Sequence, residues 1–425
     1  MKNNRVSVQK ERYQSIMDEH KSNKRGGMRF VLIWTVIGLF FAAGPGCSKR
    51  GEDIDLEDAA VDAVVDTDGP LTDGMIQDRD LFHDDGSPIH DDGTVDLDAE
   101  VETPYVVYMT TTGDDSLDGL TPSTAVATLQ RVHEILSSQT PDQDVEVRIE
   151  QGTYSGHTII WTYYNPSRSI KFMPIDYHGG GIDSIAGRPV FDGQGAPYMF
   201  RLHVTDGQPT NMEFIYLRFE RYQQYALHFL GNRNNFDTGW NGSNRVFGCY
   251  FYDIGNLASP GNPGYGAVDL VNSIENTITN NHFVKNENIP SQAGLMHSVY
   301  LAHGSRWNDI HNNRFQTVSG DPIRVRDYSN FNDFRGNVFT DAGSSAFISD
   351  WWCDMSANPN CTKEGGECPS WENEFRNNEL HCGYSGDISV FRYFQGETYV
   401  PDWCDDHFTD GWARLYTSSN TKTCP

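Results

Sequence analysis

Long apolar runs are missing from this 425-residue chain. The clearest one, Phe30 to Ala43, is about 14 residues, short of the roughly 20 that cross a bilayer. A polytopic membrane protein is therefore excluded. Positive charge is scarce: 32 Lys and Arg stand against 59 Asp and Glu, for a formal charge of -27. Nucleic-acid binders concentrate Lys and Arg on one face, so no nucleic-acid partner is expected. The chain lacks the compositional signatures of collagen and of a coiled coil. It also lacks the two C-x-x-C pairs of a zinc ribbon, and no metal site is expected from its cysteines.

What is present is uneven. Residues 1–47 read as an export address. Lys21, Lys24, Arg25 and Arg29 precede the apolar run, as a basic n-region should. Met28 alone would begin a signal peptide of ordinary length, so the true start is Met1 or Met28. Gly44-Pro45-Gly46-Cys47 follows, and a small residue before Cys resembles a bacterial lipoprotein cleavage site. Gly44 stands where that family usually has Leu. The resemblance implies lipidation of Cys47 and a membrane partner through the lipid, in the outer membrane of a cell envelope. Simple secretion and an uncleaved anchor are the other two readings, and all three export the chain.

Residues 48–103 read as an acidic linker. Between Gly51 and Glu102 there are 19 acidic residues and a single base, Arg79. Low hydropathy with high charge of one sign is the signature of disorder, and self-repulsion extends such a chain. Asp84-Asp85-Gly86 and Asp91-Asp92-Gly93 invite a calcium reading, but no EF-hand register fits them.

From Pro104 onward the chain reads as one folded domain, residues 104–425. Alternation predicts strands over Tyr105–Met109 and Val145–Ile149. Leu129, Val132, Ile135 and Leu136 at helical spacing predict a short helix between them. Gly152-Thr153-Tyr154 follows. This order resembles the entry to right-handed parallel β-helices of the pectate-lyase-like superfamily, which implies an all-β solenoid with an N-terminal capping helix. A repeat supports the same fold from the residues themselves. The pattern N-x-apolar-x-(N/G)-x-x-apolar begins at Asn244, Asn276, Asn308, Asn332 and Asn373, spaced 32, 32, 24 and 41 apart. Recurrence of one unit means stacked coils. Leu217 to Phe219 belongs to an earlier coil, and the asparagines suit left-handed turns. Cys249 reads as a buried thiol on an inward-facing strand. Cys353, Cys361, Cys368, Cys382, Cys404 and Cys424 imply up to three disulfides in a C-terminal cap over 353–425, with pairing undetermined.

Aligning coils on the repeat brings a second strand into register. Its outward positions form a column of His228, Asp269, Tyr300, Arg324 and Ile348. Ala302, Arg326 and Asp350 form the next, with His303 and Asp327 at the turn beside it. The column reads either as a functional groove or as a solvated face. Leu301 to Phe339 resembles the central coils of the chondroitinase B and alginate lyase family, which carry a lysine base and an arginine on successive coils. Gly304 or His303 falls where that lysine would be, and Arg324 and Arg326 stand near the arginine. The resemblance implies β-elimination on an acidic glycan. Arg324 and Arg326 would bind the carboxylate, His303 or His297 would be the base, and Tyr300 would be base or proton donor. Asp269, Asp321 and Asp327 offer carboxylates for glycoside hydrolysis instead. His228, Asp269, Asp327 and Trp351 are candidate substrate contacts, and Trp351 and Trp352 either stack on sugars or pack under the cap. No cofactor is required; calcium beside Asp269 is possible. The expected partner is an acidic polysaccharide, bound by a monomer. A non-catalytic glycan-binding or adhesion module is the competing function.

Overall fold

A computed structural model describes residues 102–177, 187–354, 361 and 366–424. The export address, Cys47 and nearly all of the acidic stretch lie outside the described residues. What is described is a parallel β-helix. Three long sheets of ten, nine and eight strands run along it, with a three-stranded sheet at one corner. Every pairing between named strands is parallel, for example Val268–Asp269–Leu270 on Val299–Tyr300–Leu301. The helix Leu129–Gln139 buries Leu129, Val132, Ile135 and Leu136 over the first coils, and the Thr128 hydroxyl accepts from Arg131 N at its start. That cap covers sheet edges that would otherwise be open.

The interior is a stack of like on like. Phe219, Phe251, Phe283, Phe315 and Phe339 occupy one inward position of the nine-stranded sheet. Consecutive rings in this run lie 4.7–5.1 Å apart between centroids. These are the last residues of the repeat pattern, or their equivalents in an earlier coil.

The first asparagine of the pattern does something other than turn the chain. Asn244, Asn276, Asn308, Asn332 and Asn373 are buried and form a ladder. Each Oδ1 from Asn276 onward accepts both the backbone N–H and the side-chain amide of the asparagine one coil earlier. A second ladder runs through Asn281, Asn313, Asn337, Asn378 and Asn420, one residue after the pattern's fifth position. The left-handed backbone falls on the residue before each ladder position. Trp307 (φ 58°), Phe331 (φ 58°) and Glu372 (φ 55°) precede the first ladder, and Asn280, Asn312, Gly336 and Asn377 precede the second. Cys249 occupies the second ladder's place one coil earlier. It is buried and free, but it lies between strands rather than on one.

The C-terminal segment is not only a cap. Strands Asn373–Arg376, Ser389–Tyr393 and Leu415–Ser418 continue the solenoid. The disulfides are Cys353–Cys361, Cys368–Cys404 and Cys382–Cys424. Asp350, expected on the outward face, lies in register with inward Val325 and pairs with buried Arg414, which spreads over the Trp352 and Trp371 rings. Trp352 is thus part of the packing beneath the disulfide-bonded region.

Asn332→Ala removes four side-chain hydrogen bonds, three in the ladder and one to Ser305 O, and strands the amides of Asn308. Each unsatisfied buried group costs about 1–3 kcal/mol, so the expected loss is about 3 kcal/mol or more by urea unfolding. Gln316→Ala, on an exposed position of a neighbouring strand, should stay within about 0.5 kcal/mol. Equal effects would remove the ladder as a source of stability.

Candidate functional site

The eight-stranded sheet carries the predicted column, and register defines its members. Arg201, His228, Asp269, Tyr300, Arg324, Ser349 and Arg392 follow one another on successive strands. Ile348 is not among them. It pairs with Ile323 and is fully buried in the core, so Ser349 takes the outward place. The turn before Ala346 is one residue longer than the repeat spacing suggests. Arg201 and Arg392 lie outside the five aligned strands: Arg201 precedes the first repeat, and Arg392 follows the last.

The column is not a solvated face. His228, Asp269, Tyr300 and Arg324 are all at most 8% exposed. The segment 231–239 folds over the adjoining turn, with Phe236 against Gly304, where a Cβ would come within 2.8 Å of the ring. Arg306 donates to Phe236 O at 3.1 Å and holds it there.

His297 lies beside this column. Its Nδ1 is 2.6 Å from Asp321 O. A carbonyl only accepts, so Nδ1 carries the proton and Nε2 carries the lone pair. The ring stacks on Tyr300 with centroids 5.5 Å apart. Burial, then the Arg324 charge, pushes His297 down to about 3, so it is neutral at physiological pH. Arg324 donates Nε to Ser349 Oγ at 2.8 Å and lies 3.5 Å from Asp321 Oδ2. Its Nη1 has no hydrogen-bond partner among the described residues.

On the other side of Tyr300 is a pair of buried polar groups with unmet needs. Asp269 Oδ1 and both His228 nitrogens have no hydrogen-bond partner among the described residues. His228 Nε2 is 3.5 Å from Asp269 Oδ2. Burial raises Asp269 to about 7, against the pull of Arg201 and Arg326, and burial lowers His228 to about 3. The contact therefore joins a neutral imidazole to a carboxyl whose pKa burial has raised toward neutrality, not a charged pair of ordinary pKa.

Arg326, Asp327 and His303 belong to a different arrangement. Arg326 forms a bidentate pair with Glu367, Nε–Oε2 2.7 Å and Nη2–Oε1 2.8 Å, and donates Nη1 to Tyr300 Oη at 2.9 Å. Its guanidinium lies over the Trp351 ring at 4.4 Å. Glu367 also accepts from Cys353 N at 2.8 Å. Burial works to raise this carboxyl, but Arg326, then His303, holds it down at about 2. His303 Nδ1 is 2.8 Å from Asp327 Oδ2, whose other oxygen accepts from Cys368 N at 3.1 Å. Burial lowers the His303 pKa against these acids. His303, Asp327 and Glu367 present ligand atoms within 4.8 Å of one another, a possible cation site. Arg326 and two backbone amides already occupy its carboxylates, so a cation there would have to compete with a guanidinium. Sequence spacing could not have found Glu367. It sits between two disulfide cysteines and 41 residues beyond Arg326.

Comparison with known proteins adds the following. No family of known proteins matches the chain, and no curated protein matches it. Several solved structures are similar. An alginate lyase from Paenibacillus sp. str. FPU-7 shares 13% identity over 70% of this chain and 93% of its own, with a TM-score of 0.38. A lacto-N-biosidase of GH136 from Eubacterium ramulus shares 10% over 76% and 68%, with a TM-score of 0.34. The pectin methylesterase PemA from Erwinia chrysanthemi shares 10% over 75% and 90%, with a TM-score of 0.32. Likeness at this level assigns no activity to the chain.

Proposed function

We propose that the protein cleaves an acidic polysaccharide by β-elimination at His297, Tyr300 and Arg324. The observation that carries the reading is the hydrogen bond from His297 Nδ1 to Asp321 O, which leaves a neutral imidazole nitrogen beside Tyr300 and Arg324. Eliminating a uronate requires three things: a base for the proton next to the carboxylate, a cation for that carboxylate as it becomes enolate-like, and a proton for the departing oxygen. His297 Nε2 takes the proton. The electron pair forms the new carbon–carbon double bond as the glycosidic carbon–oxygen bond breaks. Arg324, with Nη1 uncommitted, stabilises the carboxylate charge. Tyr300 Oη accepts from Arg326 Nη1 and would give its own proton to the leaving oxygen. His303 is held by Asp327 and fits a supporting part better than the base.

A second reading has one observation in its favour. Asp269, at about 7 and with Oδ1 unpartnered, has the titration of a general acid, which would suit hydrolysis. A glycan-binding module without catalysis is the third reading. Incubation with polyuronates and sulfated glycans, with and without calcium, separates them. A lyase raises both ultraviolet absorbance and reducing ends, and Arg324→Ala should lower kcat/KM about 10²–10³-fold. Reducing ends without absorbance would move the assignment to Asp269, and retention in a glycan gel without either would end the catalytic reading.

The pH profile gives a separate check. The base works only as neutral imidazole, so activity falls as pH drops through its pKa. Because that pKa is depressed, the acid limb of kcat/KM should lie well below the ordinary histidine value of about 6.5. A limb at or above that value would eliminate His297 as the base.

We read residues 1–47 and 48–103 as export signal and spacer, with the lipid on Cys47 anchoring a monomeric enzyme at the cell surface. Expression in a bacterial host fed labelled palmitate should label the chain, and Cys47→Ala should abolish the label. An unlabelled, released protein would leave secretion as the route.

A further inference from the structure

Arg392 was not foreseen from the sequence and has no part in the proton transfers above. It lies in the same outward column as Arg324, with Ser349 between them. Strands in a sheet are spaced about 4.8 Å, so the two backbone positions stand about 10 Å apart along the solenoid axis, while the guanidiniums, both over one ring, are at most about 9 Å apart. Arg392 is exposed and makes no ion pair among the described residues. Its single hydrogen bond is from Nη1 to Ser345 Oγ at 2.8 Å.

Both guanidiniums lie over the ring of one residue, Phe394, at 4.7 Å for Arg324 and 4.1 Å for Arg392. Phe394 is 37% exposed, so part of its ring faces solvent beside the two cations. Stacking uses the flat face of a guanidinium and leaves its edge donors free for a carboxylate or sulfate. It also fixes the separation of the two cations at little entropic cost. Two cations thus share one aromatic platform at the end of the column, in a protein of formal charge -27.

We propose that Arg392 and Phe394 form a second anion subsite, which reads the next acidic group of the glycan one disaccharide beyond the group held by Arg324. This rests on the acidic-glycan reading above and adds its spacing. The class recognised is a chain with same-side anionic groups a disaccharide apart. A polyuronate in an extended twofold form satisfies this, as does a glycosaminoglycan with a uronate on alternate sugars. Phe394 would meet the apolar face of the intervening sugar, and Arg392 would set direction by gripping only one side of the cleavage point.

The test is calorimetry on the full chain in a His297→Ala background, so that ligands survive. The probes are a galacturonate disaccharide and hexasaccharide and a chondroitin sulfate disaccharide and hexasaccharide. In Arg392→Ala, hexasaccharide affinity should fall about tenfold or more, the loss of one charge-assisted contact, with a shallower salt dependence. Disaccharide affinity and melting temperature should not change, since Arg392 is exposed. Whichever hexasaccharide shows the loss identifies the source of the repeat. Hexasaccharide binding that is unchanged in Arg392→Ala but lost in Arg324→Ala would overturn the second subsite and leave the proposed function standing. Failure of every acidic probe to bind the parent would overturn both.

Discussion

Each ladder asparagine after the first hands its side-chain oxygen to two nitrogens of the coil before it, and the central coils are registered by that exchange. A coil that slipped by one residue would break two ladders, move every stacked phenylalanine out of the core and turn the outward column inward. Coils cannot bury their faces alone, so the ladders and the ring stack act together along the axis. The cost is local. Trp307 and Phe331 adopt left-handed backbone that bulky residues avoid, and they persist because the next residue is locked on both sides. The functional column inherits its geometry from this registration: Tyr300 sits over Asp269 and Arg324 over Tyr300 because the asparagines do.

Much of the fold was legible because the repeat is written in the sequence at nearly constant spacing. The entry helix, the first strands and the stacked coils all follow from patterns within a few tens of residues. Legibility failed where information was non-local. Ile348 was placed outward because a single residue was added in the turn before it, and periodicity cannot see an insertion that short. The asparagines were read as turn formers because αL preference is a familiar property of the residue. Their partner lies a coil away and becomes visible only once the coils are stacked. Four of the five members of the second ladder stand at the position after the fifth, a place to which the pattern assigns no role.

The site shows the same division. Arg324 and Arg326 look equivalent in sequence, two residues apart on one strand and facing one way. Folding makes them different. Arg326 is neutralised by Glu367, delivered by a segment that two disulfides hold against the groove, and its remaining donor goes to Tyr300. Arg324 bonds a hydroxyl through Nε and pairs with a single Asp321 oxygen at 3.5 Å, a looser hold than the bidentate pair on Arg326. Nothing within the repeat announces Glu367. Asp327 and His303, chosen for their chemistry, are committed to each other and to the backbone of Cys368, which makes them part of the frame that holds Arg326 and Tyr300 in place.

Burial is what turns these residues into chemistry. On an open sheet face, His297 would titrate near neutrality and Asp269 would be ionised. Beneath the covering segments the imidazole is kept neutral and the carboxyl's pKa is raised, by the same desolvation acting on groups of opposite charge. His297 beside the column and Asp269 within it are thus pushed in opposite directions, with the Arg324 charge adding to burial at His297. An acidic protein can then hold an acidic chain, because its negative charge is spread over the molecule while its uncommitted guanidiniums converge on one strip. At ionic strength near 0.15 M the Debye length is about 8 Å, so the substrate responds to Arg324 and Arg392 and hardly to the distant acids. The net charge describes solubility; the strip decides what binds.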